Sequence, residues 1–292
     1  MNTKFNIKND YCNYCLGGEI VESSKCLGEI NNCKVFKCRD CNLIYIYPKP
    51  NENELHNMYQ NWHGSHQYEL NQYGEKYLFN NILLSIKKRG YSGKILDIGS
   101  SYGFFLDSAR KEGFTVKGLE IANEPFNYSK NVLGLDVDNM TLDEANYPDN
   151  NFDILTMLNV LEHVSNPFNI LCEAWRITKS PGLILIVVPN ALLAYPYFIL
   201  SRKLGVEAFV PTSAYTVPSH LTIFSPFSIK NMLTKSGWKV VSIMNAPVIT
   251  NKSKLKTSLK YLFKSFGDIV QTISFKKICF GYSILIIGEK SE

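Results

Sequence analysis

Two groups of side chains in this sequence have types and spacing that could do chemistry. The first is a pair of C-x-x-C turns, Cys12/Cys15 and Cys38/Cys41, separated by 22 residues. A C-x-x-C turn aims two thiolates at one point. Two such turns facing each other supply a tetrahedral four-sulfur site, which suits zinc. Four thiolates leave no open coordination position, so the expected ion is structural rather than catalytic. Cys26 and Cys33 lie between the pairs and are the alternative ligands. Cysteines clustered in this way read as metal ligands before disulfides when the compartment is reducing.

The second group surrounds a glycine-bearing loop. The apolar run K-I-L-D-I at 94–98 leads into G-S-S-Y-G at 99–103. Gly99 and Gly103 allow the backbone to turn sharply and approach a ligand at the start of the next helix. Asp97 stands just before the loop, and Glu120 follows 23 residues after it. A carboxylate at the end of a second strand can accept hydrogen bonds from both hydroxyls of a ribose. Ser101 and Phe104 break the dinucleotide pattern G-x-G-x-x-G, which counts against NAD and FAD.

Three kinds of element must position these residues. Residues 1–50 are expected to form a small zinc ribbon, with K-V-F-K-C at 34–38 and L-I-Y-I-Y at 43–47 as its hairpin. Such a module is too short to fold on its core alone, so metal would supply much of its stability. Residues 51–90 are a helical connector: P-K-P ends the hairpin, Asn51 caps one helix, and a second covers 72–89 with basic residues in its last turn. From residue 91 onward, apolar runs at 94–98, 114–121, 132–137, 152–159 and 182–189 alternate with helical segments. That alternation predicts an α/β fold with a doubly wound, Rossmann-like, mainly parallel sheet. Runs at 238–243 and 282–288 are expected to close it in antiparallel fashion.

Two segments lie outside this alternation. Residues 190–224, rich in aromatics and prolines, are either a substrate lid or a packing helix. Residues 250–277 form a basic amphipathic helix, with Lys252, Lys256, Lys260 and Lys264 on one face and Leu255, Leu259, Leu262, Phe263, Phe266, Ile269 and Ile273 on the other. Such a helix packs its apolar side on the domain or lies on an anionic membrane.

D-I-G-S-S-Y-G at 97–103 resembles motif I of class I S-adenosylmethionine (SAM)-dependent methyltransferases, and L-E-I at 119–121 resembles their second-strand acidic motif. F-D-I-L-T-M-L-N-V-L-E-H-V-S-N-P at 152–167 and S-H-L-T-I-F-S-P-F-S-I-K-N-M-L at 219–233 resemble segments of the ubiquinone-methyltransferase-like branch. K-C-R-D-C-N-L-I-Y-I-Y-P-K-P resembles a cysteine-rich N-terminal module of bacterial members. The resemblance implies that Asp97, Gly99, Ser100 and Gly103 surround the methionine part of SAM. It further implies that Glu120 binds the ribose, that Ile121 packs on the adenine with Thr141 and Leu142 at its edge, and that Asn159 faces the sulfonium. Ser101 departs from the family's middle glycine. If the methyl acceptor is a hydroxyl, His163 and His220 are the candidate bases.

Composition narrows the alternatives. A net charge of +5 arises entirely after residue 250, where eight basic residues face three acidic ones. Residues 1–60 carry seven of each sign. The balanced charge of these sixty residues argues against an RNA methyltransferase that reads its substrate there, and the intact Asp97, Gly99, Gly103 and Glu120 argue against a non-catalytic binding protein. The expected acceptor is a small molecule, with a sugar or a lipid-linked intermediate of cell-surface biosynthesis as candidates. No apolar run reaches 18 residues and the first ten residues lack an apolar core, so a cytoplasmic protein is expected.

Overall fold

The computed structural model describes residues 24–30, 33–47, 49–50, 52–60, 72–192, 220–247, 254–274 and 279–291. Cys12, Cys15 and most of the expected lid lie outside the described residues. A seven-stranded sheet forms the centre of the molecule. In chain order its strands are β4 (Lys94–Ile98), β5 (Thr115–Leu119), β6 (Val137–Asp138), β7 (Phe152–Leu158), β8 (Thr178–Pro189), β10 (Lys239–Asn245) and β11 (Ser283–Lys290). Their spatial order is β10-β11-β8-β7-β4-β5-β6. β4 to β8 run parallel, and β11 pairs antiparallel with both β8 and β10.

The parallel strands are continuous apolar runs because both faces of the sheet are covered. Leu96, Leu155, Ile184 and Ile286 face one cluster, while Ile95, Ile154, Leu185 and Ile287 face the other. Helices α2 (Gln72–Lys88) and α3 (Phe104–Lys111) fill the second face with Leu78, Phe79, Ile82, Leu83, Ile86, Phe105 and Ala109. The apolar stripe of α2 is therefore packing. On the first face, α6 (Pro167–Ile177) contributes Leu171, Ala174 and Ile177, and α7 (Pro226–Lys235) contributes Ile229, Met232 and Leu233.

A second, four-stranded sheet has the order β1-β2-β3-β9, from β1 (Ser24–Ile30), β2 (Cys33–Cys38), β3 (Ile44–Tyr47) and β9 (Thr222–Ile223). All its pairings are antiparallel. The hairpin expected in the ribbon is β2–β3. β1 and β9 add to it, and β9 comes from about 175 residues further along the chain than β3. Residues 222–223, inside the span read as a lid, are thus a strand of the N-terminal sheet. Cys38, Cys41, Leu43 and Tyr45 join the first-face core directly. Three further helices are α1 (Glu52–Gln60), α4 (Asn123–Asn131) and the short α5 (Leu142–Ala145). The basic segment folds as α8 (Lys254–Ile273).

Candidate functional site

The chain enters the sheet at β4, adds β5 and β6 on one side, then returns to place β7 on the other side of β4. This is the topological switch point of an open α/β sheet, and ligands bind there, beyond the carboxyl ends of the strands. A cleft opens at that place, lined by Asp97 of β4, Gly99, Ser100, Ser101, Tyr102 and Phe104 from the loop and the start of α3, Leu158 of β7 and Asn159 just after it, and Glu75, Leu78 and Phe79 from α2.

The loop is shaped by backbone conformation. Gly99, Ser101 and Gly103 have φ values of 70°, 50° and 78°. An added Cβ on Gly99 would lie 2.5 Å from Val160 Cγ2, and one on Gly103 would lie 2.5 Å from Leu135 Cδ1 and 2.9 Å from Ser129 Cβ. Both glycines are therefore required by space as well as by φ. Ser101 adopts the left-handed conformation at the cost a side chain carries there. Its N–H donates to Glu120 Oε2 at 2.7 Å, and the N–H of Ala122 donates to Oε1 at 2.7 Å. Glu120 thus ties the loop to the end of β5. Burial raises its pKa, while backbone donors from Ala122, Ser101 and Ile121 oppose the rise.

Asp97 is buried and accepts a hydrogen bond from Thr156 Oγ1 at 2.6 Å. Burial pushes its carboxyl up to about 7; the Thr156 bond works against this and Glu120 adds to it. Ser100 Oγ is buried with no hydrogen-bond partner among the described residues. An unsatisfied hydroxyl beside two crowded glycines is what a loop that cradles a polar ligand would leave in its absence. Asn159 follows β7 with φ 58° and donates its N–H to Val187 O at 2.9 Å. Ile121 is half-buried after β5. Thr141 caps α5 through a reciprocal bond with Glu144, and Leu142 is buried in the first-face core.

Beyond Asn159 the chain makes a turn that carries Glu162 and His163. Glu162 is fully buried, and neither carboxyl oxygen has a hydrogen-bond partner among the described residues. Burial raises its pKa to about 8, so the group is largely a neutral acid near neutral pH. His163 Nε2 lies 3.9 Å from Glu162 Oε1. The His163 and His220 rings are 4.6 Å apart, edge to face. Tyr59 of α1 reaches His163 Nδ1 at 2.9 Å, and burial next to Glu162 raises the Tyr59 pKa, so its phenol keeps its proton. The donor atoms of Glu162, His163 and His220 all lie within 4.8 Å of one another.

Backbone bonds fix this cluster. The N–H groups of Leu221 and Thr222 donate to Glu162 O at 2.8 and 3.1 Å, and Ile46 N–H donates to Leu221 O at 3.1 Å. β9 therefore carries His220 to Glu162 and is itself held by β3. Lys49 Nζ adds a bond to Ser165 O at 2.7 Å. The two candidate histidines, 57 positions apart in the chain, come together here. Glu162 and Tyr59 were missed in the sequence reading. Glu162 could have been found from its place beside His163, whereas Tyr59 offers no signal short of the three-dimensional fold.

Among the described residues, the second C-x-x-C turn is tight and buried. Cys38 and Cys41 are both buried, Cys41 N–H points at Cys38 Sγ at 3.5 Å, and Asn42 closes the turn at φ 59°. Cys26 is exposed and Cys33 half-exposed.

The comparisons with known proteins agree with this geometry. A family model described as a methyltransferase domain matches residues 51–243. A ubiquinone biosynthesis O-methyltransferase of Colwellia psychrerythraea is 24% identical over 206 residues, covering 66% of this chain and 82% of that protein. One from Klebsiella pneumoniae is 32% identical over 107 residues, but there the chain spans only 44% of the relative's length. A solved SAM-dependent methyltransferase from Thermotoga maritima superposes with a TM-score of 0.50 at 18% identity, over 77% of this chain and 95% of that one. The switch-point cleft and the matched domain define the class: the chain belongs to the methyltransferase domain family. It is an S-adenosylmethionine-dependent methyltransferase with the Rossmann-like α/β fold of that class.

Proposed function

We propose that this enzyme methylates a hydroxyl group of a small-molecule acceptor and that His163 and His220 receive the hydroxyl's proton. One observation carries the reading: the His163 imidazole, on the turn that directly follows Asn159, lies edge to face with that of His220 and beside a buried glutamate. SAM, when bound, supplies a methyl group already attached to a good leaving group. The protein's work is to align the acceptor and take its proton. Asp97, Gly99, Ser100 and Gly103 hold the methionine part, and Glu120 the ribose. Ile121, Thr141 and Leu142 border the adenine, and Asn159 faces the sulfonium.

With a hydrogen on Nδ1 directed at the Tyr59 oxygen, His163 presents Nε2 as the basic lone pair. An oxygen acceptor is supported by the name carried by the curated relatives, and a sugar or lipid-linked intermediate of cell-surface biosynthesis fits the small-molecule class. The neutral N-terminal sixty residues count against an RNA substrate. Cys12, Cys15, Cys38 and Cys41 are proposed to hold one structural zinc ion, a role that suits the buried turn at Cys38 and Cys41.

The test is turnover with labelled SAM over a panel of phenolic and sugar hydroxyl acceptors. His163→Ala and His220→Ala should each lower kcat by roughly 10²-fold or more while calorimetric SAM binding stays unchanged. Wild-type turnover in both variants would refute the base assignment. Stimulation of the wild type by added Mg2+ that disappears in His220→Ala would also overturn it, since the cluster would then hold a cation instead of moving a proton.

A further inference from the structure

Among the described residues, the apolar side of α8 is mostly exposed, with Phe266 packing edge to face on Phe280, ring centroids 5.9 Å apart. At 100° per residue, Leu262, Phe266, Ile269 and Ile273 fall within an arc of about 60°. They are 69%, 54%, 56% and 73% exposed. The opposite side docks the helix through polar groups. Gln271 is buried; its Nε2 donates to Ile243 O at 2.9 Å, and its Oε1 accepts from Asn245 N–H at 3.2 Å. Asp268 Oδ1 accepts from Asn245 Nδ2 at 3.1 Å. Gly267 sits so close to the 279–281 chain that a Cβ there would lie 2.3 Å from Phe280 O. The helix is amphipathic in the reverse sense of one that covers a core.

The charge of the segment identifies what covers the stripe. Residues 251–277 contain seven lysines and one acidic residue, Asp268. Asp268 is already engaged by Lys264 of the same helix. A second copy of this chain would bring two segments, each with seven lysines against one acidic residue, within about a Debye length of each other, and like charges oppose such pairing. An anionic lipid surface instead meets both features, because it neutralises the lysines and takes up the apolar side chains. The sequence extends the stripe, since Leu255 and Leu259 continue its spacing of three and four. No helix among the described residues is long and apolar enough to cross a membrane. We infer that α8 is a docking helix by which the enzyme lies on an anionic membrane surface, with Leu262, Phe266, Ile269 and Ile273 inserted at the headgroup level.

The experiment is co-sedimentation of the full chain with vesicles of phosphatidylcholine alone and of phosphatidylcholine with phosphatidylglycerol. The protein should pellet with the anionic vesicles at low salt and be released at high salt. Leu262→Ser and Ile269→Asp should each lower the partition coefficient by about tenfold or more. Both positions are exposed, so unchanged thermal unfolding and SAM binding are expected and separate lost docking from lost folding. Absence of pelleting at low salt, or pelleting that both variants retain, overturns the inference. So does a concentration-dependent dimer in sedimentation equilibrium that Ile269→Asp abolishes, because the stripe would then be covered by a second copy.

Discussion

Under the proposed site assignment, Glu120 serves two demands with one carboxylate. Its oxygens hold the N–H groups of Ser101 and Ala122, and each oxygen has a further lone pair for a ribose hydroxyl. Hydrogen bonds to a charged group contribute about 1.5–3 kcal/mol each, so Glu120→Ala should weaken SAM binding at least about tenfold by calorimetry. Glu120→Gln should lose less, because its amide oxygen still accepts. Glu162 makes the opposite kind of prediction. Its folded pKa of about 8 lies above its ordinary value of 4.5, so the folded state holds the proton more tightly. Its effect on stability is therefore absent below about pH 4.5 and grows as the pH rises toward about 8, where wild type loses stability. Glu162→Gln cannot ionise and should escape this loss. Denaturant unfolding should find the variant more stable at pH 8 by on the order of a few kcal/mol, and little different at pH 4.5. Equal stability at both pH values would show that Glu162 is not buried as a neutral acid. Asp97, Gly99, Gly103 and Glu120 were legible as a group because each answers a local need of a strand–loop–helix unit. The deep burial of Glu162 was not, because it depends on what surrounds a side chain and not on its neighbours in the chain.

Among the elements, the loop into α3 is the least tolerant of change. Gly103→Ala would place a methyl group 2.5 Å from Leu135 Cδ1 at a φ of 78°. A destabilisation of about 1–3 kcal/mol is expected, together with weaker SAM binding, and thermal unfolding with and without SAM measures both. The buried parallel strands were readable because burial on two faces demands continuous apolar residues, as in K-I-L-D-I and F-D-I-L-T-M-L. The third strand shrinks to Val137–Asp138, at the sheet edge, where only one neighbour demands pairing. β9 could not be read, since two residues of S-H-L-T-I-F become a strand only through β3. The orientation of α8 was hidden for a related reason. Hydrophobic periodicity tells which face is apolar, but not whether that face turns inward.

At the scale of the whole molecule, the N-terminal sheet and the catalytic part are one structure. β3 pairs with β9, and β9 holds His220 against Glu162. Purified protein is expected to contain one zinc ion per chain by metal analysis. Cys38→Ser or Cys41→Ser should lose it, lower thermal stability and reduce turnover through the loosened β9. Zinc-free protein prepared without chelator would refute the site, and full zinc retention in both variants would move the ligands to Cys26 and Cys33. The division at residue 50 follows the sequence's change of pattern; the pairing across it could not be seen there, because the partner strands lie in distant parts of the chain.

The β3–β9 pairing also sets an order in time. Ile44 meets Ile223, about 180 residues later, so at ribosomal speeds of about 5–20 residues per second the edge of β3 waits roughly 10–40 s for its partner to be made. Throughout that interval the nascent hairpin presents an open row of N–H and C=O groups to other chains. Slowing synthesis ahead of residue 220 should lengthen the exposure and raise the aggregated fraction, whereas supplying the downstream half as a separate fragment in trans should shorten it.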